Sequence, residues 1–386
     1  MAFVGFDLDE TLGRFSVPDG HLYFLMPEVL YTTQFLPYAP FHQPSDDLKT
    51  KLTAAFNSFA VCLANKEPAL GMLRPGILQI VGKLSQLKDA GRINGIVVYS
   101  NNGNLAALIL ATKMIEHLLQ KPGLFCNRVN WWNPMRYGPG KNIKGFVPGA
   151  ASKSTRVLRE SFVGPMCGNI VANYQEVPVD QLLFFDDLNP PHEDIFNQIG
   201  PERYFRVNPY KKDASIAAVN DCFYSALESQ NLHTDPEYLT YINTILQSSQ
   251  PPLAKTFASI NTFLTQYNAQ YALKNDPFLD DTDAILARID ALFPPLPAAA
   301  AAEAEAEAEA GAEVGAAVEG ENQEGGPAAA AAAQAPVAAA MPNNYGANFF
   351  PLGGRRKIKR RRASIKKQTK KRKTRHRKGY KRTRKN

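Results

Sequence analysis

Four short apolar runs, each ending in polar residues, punctuate the first 210 positions, and helical periodicity fills the intervals between them. Residues 4–8, 93–99, 182–185 and 204–207 read as buried strands. Between the first two, Ser45-Asp46-Asp47 is placed to cap a helix to about residue 64. Arg74-Pro75-Gly76 then opens a second helix, on which Ile77, Ile80, Val81, Leu84 and Leu87 recur at helical spacing before Gly91. Further helices are predicted over about 105–120 and from Lys153 to about 161. Strands alternating with helices predict an α/β, Rossmann-like domain over 1–212, with a mostly parallel sheet covered on both faces.

Other stretches are less regular. Residues 13–72 hold aromatics and scattered prolines and read either as a flap or cap-like insertion or as an irregular side layer. Residues 121–149 read as a Pro/Gly-rich connection. They carry Trp131 and Trp132, the only tryptophans, which either line an entrance or pack the loop onto the core. Residues 213–293 show helical patterns, over 254–267 and 280–292 for example, and read as a helical appendage. From 294 to 350 the chain is rich in Ala, Glu, Gly and Pro and poor in side chains able to build a core, so a disordered linker is predicted.

Charge changes this picture because it is segregated. The net charge is +8, yet residues 355–386 carry 20 of the 44 Lys and Arg and no Asp or Glu. The rest of the chain keeps 24 basic residues against all 36 acidic ones, so an acidic body ends in a Lys/Arg-rich tail, 351–386. Such a tail is predicted to bind nucleic acid without sequence preference, through counterion release. Cys62, Cys126, Cys167 and Cys222 fit no Cys-x-x-Cys spacing and read as buried free thiols in a reducing compartment. No secretory signal precedes the first strand, and no apolar run approaches the ~20 residues of a membrane span. The expectation is an intracellular protein, in the nucleus or another nucleic-acid-rich compartment, with no membrane partner.

The chemistry starts at the first strand, which runs into Asp7-Leu8-Asp9-Glu10-Thr11-Leu12. Strand alternation points Asp7 and Asp9 the same way, out of the carboxyl end where open α/β sheets bind ligands. Two carboxylates there can divide labour, one as nucleophile or metal ligand and one as acid and base. The second strand runs into Ser100-Asn101-Asn102-Gly103 and the third into Asp186-Asp187.

These residues, in this order, resemble the four motifs of the haloacid dehalogenase superfamily of aspartate-based phosphatases. The resemblance spans about residues 1–210 and implies a Mg²⁺-dependent phosphomonoesterase. Asp7 would attack phosphorus and become an aspartyl-phosphate, and Asp9 would serve as acid and then base. Thr11 would orient Asp9 and hold the turn. Ser100, Asn101 and Asn102 would bind phosphoryl oxygens. Lys153 matches the third motif, with Lys141 and Lys144 as rivals. Asp7, the Asp9 backbone carbonyl and Asp186 would hold Mg²⁺, with Asp187 directly or through water.

Asp7–Leu12 followed by Arg74-Pro75-Gly76 is similar to the phosphatases of the RNA polymerase II C-terminal domain. It departs from them at Gly13-Arg14, where they carry Val or Ile and His, and at Leu188-Asn189 after the acidic pair. The Ser100–Gly103 turn and the basic tail resemble haloacid-dehalogenase-like proteins of large DNA viruses, which adds the virion as a location. Three functions follow as expectations: a phosphatase tethered to nucleic acid by its tail, an inactive scaffold or virion protein binding nucleic acid, and a nucleic-acid end phosphatase.

Overall fold

The computed structural model describes residues 1–26, 44–102, 105–130, 153–247, 256–270 and 272–294. Five parallel strands form one sheet in the order β3-β2-β1-β4-β5. These are β1 (Ala2–Phe6), β2 (Ile93–Ser100), β3 (Phe125–Asn130), β4 (Leu182–Asp186) and β5 (Tyr204–Arg206). Both faces are buried, as a parallel sheet requires. Val4, Phe6, Ile96, Val98, Leu183 and Phe185 enter the larger core, while Phe3, Val97, Tyr99, Leu182 and Phe184 enter a second, smaller one.

Connections from β1 to β2 and from β2 to β3 pack on the larger core. They comprise α1 (Ser16–Leu22), α2 (Asp46–Asn65), α3 (Ile77–Asp89) and α4 (Leu105–Leu118). Connections from β3 to β4 and from β4 to β5 place α5 (Thr155–Glu160) and α6 (Glu193–Ile199) on the smaller core, through Leu158, Ile195 and Ile199. The chain therefore changes faces between β1 and β4, and a crevice opens at the carboxyl ends of those two strands.

The predicted helices form where caps and periodicity place them. Ser45 Oγ accepts from the Leu48 N–H at 3.1 Å at the start of α2. Residues 213–293 fold into α7 (Ile216–Ser229), α8 (Pro236–Gln247), α9 (Ser259–Ala269) and α10 (Thr282–Leu292). Val219, Phe223, Ile242, Ile260, Phe263 and Ile289 share one continuous core with the helices that cover the sheet. They form part of that layer. The described part of 13–72 is likewise helical and packs in this core; residues 27–43 lie outside the description.

Three expectations are corrected. Within 121–149, residues 125–130 form edge strand β3; with Cys126, Asn127, Arg128 and Asn130 among its six residues, it lacks the apolar run of the central strands. The cysteines are not free thiols: Cys62 pairs with Cys222 and Cys126 with Cys167. The first bond joins α2 to α7 across 160 residues, and the second joins β3 to the turn at Pro165–Cys167. Neither pairing has a local spacing, because tertiary packing brings the partners together. Third, α1 forms early in the aromatic stretch, ahead of the one helix predicted there from Ser45. Trp131, Trp132, Lys141, Lys144, the linker and the tail lie outside the described residues. Among the described residues no helix is long and apolar enough to cross a membrane.

Candidate active site

The turn after β1 is held by backbone bonds on both sides. Leu8 and Leu12 are fully buried and anchor it in the core. Arg74 N–H donates to Leu12 O at 3.0 Å, Arg14 N–H to Met72 O at 2.8 Å and Tyr210 N–H to Glu10 O at 2.9 Å. Gly13 is required because a Cβ there would run into the Met72 carbonyl. Glu10 adopts φ +63°, the left-handed region that a non-glycine residue enters at a cost.

This turn, the end of β4 and the start of α5 bring four predicted residues together. Asp7, Asp186 and Asp187 each offer a carboxylate oxygen within 4.8 Å of the others. Lys153 lies between the first two, its Nζ 2.7 Å from Asp7 Oδ2 and 2.8 Å from Asp186 Oδ1. It is 1% exposed and Asp186 is 0% exposed, so these are buried charges that need each other. Ser154 caps α5 by accepting from Val157 N–H, which fixes the backbone just after Lys153. Ser100, buried at the end of β2, hydrogen-bonds the Asp7 side chain and accepts from Asn102 N–H at 3.1 Å. Asn102 Nδ2 donates to Asp9 Oδ2 at 3.0 Å. Asn101 is half-buried on the same turn.

No family model, characterised protein or solved structure matches this chain. The site's chemistry therefore rests on its own geometry.

That geometry is short of positive charge. Burial, and to a lesser degree the Asp186 carboxylate, push the Asp7 carboxyl above its ordinary value, although Lys153 pulls the other way. Burial and the charge of Asp7 push Asp9 up to about 7. Burial, Asp7 and Asp186 do the same to Asp187, also to about 7. Burial opposes the Lys153 ammonium, but its two carboxylate neighbours outweigh that and hold it above the ordinary lysine value. Clustered carboxylates facing one ammonium, with oxygen donors only, fit a hard divalent cation such as Mg²⁺. Among the described residues, Asp7, Asp186 and Asp187 are the group of acids close enough to share such an ion.

The Asp9 carboxylate, expected to serve as acid and base with only its backbone carbonyl at the metal, stands apart from the three-acid cluster and is held by Asn102. One expectation changes here. Thr11 is 1% exposed and donates to Asp187 Oδ1 at 3.1 Å, so it supports Asp187, while Asn102 orients Asp9. Sequence reasoning also missed two residues. Tyr204 OH donates to Asp186 Oδ2. His192 Nδ1 accepts from the Lys153 backbone N–H at 3.2 Å. A tyrosine opening an apolar run and a histidine after two prolines carry no such signal alone; Tyr204 comes near Asp186 because β5 lies beside β4, and His192 because it precedes α6.

Proposed function

We propose that this chain is a Mg²⁺-dependent phosphomonoesterase that works through an aspartyl-phosphate on Asp7. The observation that carries the reading is the Asp7–Asp186–Asp187 cluster, bridged by buried Lys153, at the face-switching crevice of a parallel sheet. When bound, the cation offsets the repulsion between the carboxylates and an incoming phosphate. Asp7 attacks phosphorus, the bond to the leaving oxygen breaks, and Asp9 gives that oxygen its proton. Asp9 then takes a proton from water, which attacks the aspartyl-phosphate and releases inorganic phosphate and the Asp7 carboxylate. Asn102 holds Asp9 for both transfers, and Ser100 and Asn102 line the approach beside Asp7. Lys153 offsets charge next to the nucleophile throughout.

The tail at 355–386, with 20 Lys and Arg and no acid, supports tethering of this activity to nucleic acid, where it raises the effective concentration of nearby substrates. The same tail supports the reading of a nucleic-acid end phosphatase. The test is phosphate release from para-nitrophenyl phosphate by the full chain with Mg²⁺ or EDTA, beside Asp7→Asn. Metal-dependent turnover that Asp7→Asn abolishes is expected. Turnover surviving in Asp7→Asn removes the aspartyl-phosphate mechanism, and a folded, cation-loaded wild type without turnover favours the scaffold. Relative rates on phosphopeptides and phosphorylated oligonucleotides then separate the two substrate classes.

A further inference from the structure

We infer that Tyr204 and His192 are positioning residues, which orient the Asp186 carboxylate toward a divalent cation and seat Lys153 beside Asp7. The inference rests on the functional reading for the reaction, while its cation-binding part is measured independently.

Asp186 is wholly buried, and a carboxylate without directed partners there would be free to rotate or to shift its contacts. Its two oxygens are held by residues of different elements, Lys153 just before α5 and Tyr204 on β5. Lys153 Nζ takes Oδ1 at 2.8 Å, and the Tyr204 hydroxyl donates to Oδ2. The hydroxyl cannot turn its hydrogen elsewhere at no cost, because the His192 backbone N–H donates to the same oxygen atom at 3.3 Å. Tyr204 is itself fixed by the packing of its ring against Phe184 and Phe196, with centroids 5.9 and 5.5 Å away. Each carboxylate oxygen keeps a further lone pair, so Asp186 can ligate a cation while both partners hold its plane.

His192 acts on the same unit from the side. Its Nδ1 accepts from the Lys153 backbone N–H, which leaves the ring hydrogen on Nε2 in the neutral form. That Nε2 is buried, has no hydrogen-bond partner among the described residues, and lies 3.9 Å from Asp186 Oδ2. An unpartnered buried donor aimed at a carboxylate oxygen is costly in a residue that serves packing alone. Here it lies on the Oδ2 side of Asp186, beside the oxygen that Tyr204 already holds. Ligand carboxylates held in this way bind metal more tightly, and removing such an outer partner typically lowers affinity about 10- to 100-fold.

The experiment measures Mn²⁺ binding to the full chain by electron paramagnetic resonance, for wild type, Tyr204→Phe and His192→Asn, with Asp7→Asn identifying the site. Phenylalanine keeps the ring and removes only the hydroxyl. Asparagine keeps an acceptor for the Lys153 N–H and removes the Nε2–H. The expected result is a Kd about tenfold or more higher in Tyr204→Phe and a smaller rise in His192→Asn. The rise in Kd should come with an unchanged number of Mn²⁺ sites per chain, a pattern that a general loss of folding would not produce, since an unfolded fraction lowers the number of sites and not their affinity. A Tyr204→Phe Kd within twofold of wild type overturns the inference. If Tyr204→Phe lacks native circular dichroism, His192→Asn decides, and an unchanged Kd there overturns it. A wild type that binds no Mn²⁺ removes this inference and the functional reading together. A wild type that binds Mn²⁺ but releases no phosphate removes the functional reading alone, and the ratio of affinities still decides the roles of Tyr204 and His192.

Discussion

Replacing Lys153 with methionine removes one positive charge from between two carboxylates and keeps most of the volume. The ammonium contacts Asp7 at 2.7 Å and Asp186 at 2.8 Å and lies 5.2 Å from the centroid of the Phe184 ring. At an effective dielectric near 20, each contact amounts to roughly 6 kcal/mol of Coulomb attraction. Taking the ammonium out of water costs several kcal/mol in the opposite direction. Breaking a buried pair by deleting one partner typically costs about 3–5 kcal/mol, because the remaining charge is left uncompensated, and here two such charges remain. Lys153→Met is therefore expected to lose about 4 kcal/mol of stability in EDTA.

A bound cation can take over part of that compensation. Added Mg²⁺ or Mn²⁺ should thus stabilise the variant more than the wild type, for which a hundredfold excess over Kd gives about 2.7 kcal/mol. Urea unfolding followed by far-ultraviolet circular dichroism, with and without metal, measures both quantities. A loss below about 1 kcal/mol in EDTA, or a metal response no greater than that of wild type, would refute the idea that Lys153 and a cation share the task of offsetting Asp7 and Asp186.

Three further outcomes are expected. His21 is fully buried beside Phe59 and Phe223, and burial pulls its pKa from the ordinary 6.5 down to about 4. The unfolded chain takes up this proton first, so stability present above pH 6.5 is lost as pH falls toward 4, by at most about 3 kcal/mol; pH-dependent urea titration should show that slope, flattened in His21→Gln. Losing Cys62–Cys222, which closes a 160-residue separation, should cost about 5 kcal/mol, read as a lower Tm in the Cys62→Ala/Cys222→Ala double variant than in wild type, a gap that closes in reductant, where Cys126–Cys167 is open in both. Deleting residues 355–386 should abolish retention on DNA and RNA while leaving para-nitrophenyl phosphate turnover unchanged; unchanged nucleic-acid affinity in the truncated chain would exclude the tail as the binding element.

What could be read from the sequence follows the strength of local signals. β1, β2 and β4 are buried on both faces, so each appears as an apolar run, and the polar residues that follow (Asp7, Ser100, Asp186) fall at the crevice. β3 has one neighbouring strand and a polar sequence, and its Arg128 is matched by Glu116 at 3.0 Å, a partner on another element. Lys153 was legible as a cation at a helix start. Its two carboxylate contacts, the turn of Thr11 toward Asp187 and the hold of Tyr204 on Asp186 all depend on how separate elements meet. The disulfides belong to the same class, since Cys62 and Cys222 become neighbours only when α7 packs on α2.

The helices beyond residue 208 bear directly on the site because they hold the turn that aims Asp7 and Asp9. Glu10 keeps its left-handed backbone under several restraints. Tyr210 N–H binds its carbonyl, and Lys211 and Lys274 approach its carboxylate at 3.7 and 3.6 Å. Arg14 bridges Glu10 at 3.0 Å and Asp213 at 2.7 Å. On the other side of the turn, buried Arg74 pairs with Asp281, whose other oxygen accepts from Asn208 N–H at 2.6 Å. Gly76 admits Thr282 against the start of α3, where any Cβ would overlap it. A left-handed non-glycine residue costs roughly 1–2 kcal/mol, and contacts from 208–282 are what offset that cost. Ending the chain at 212 would remove Asp213, Lys274, Asp281 and Thr282 together. Because the same segment also fills the larger core, the discriminating variant is Asp213→Asn in the full chain: lost turnover with native circular dichroism would report a relaxed turn, with the carboxylates of β1 and β4 still present but no longer aimed.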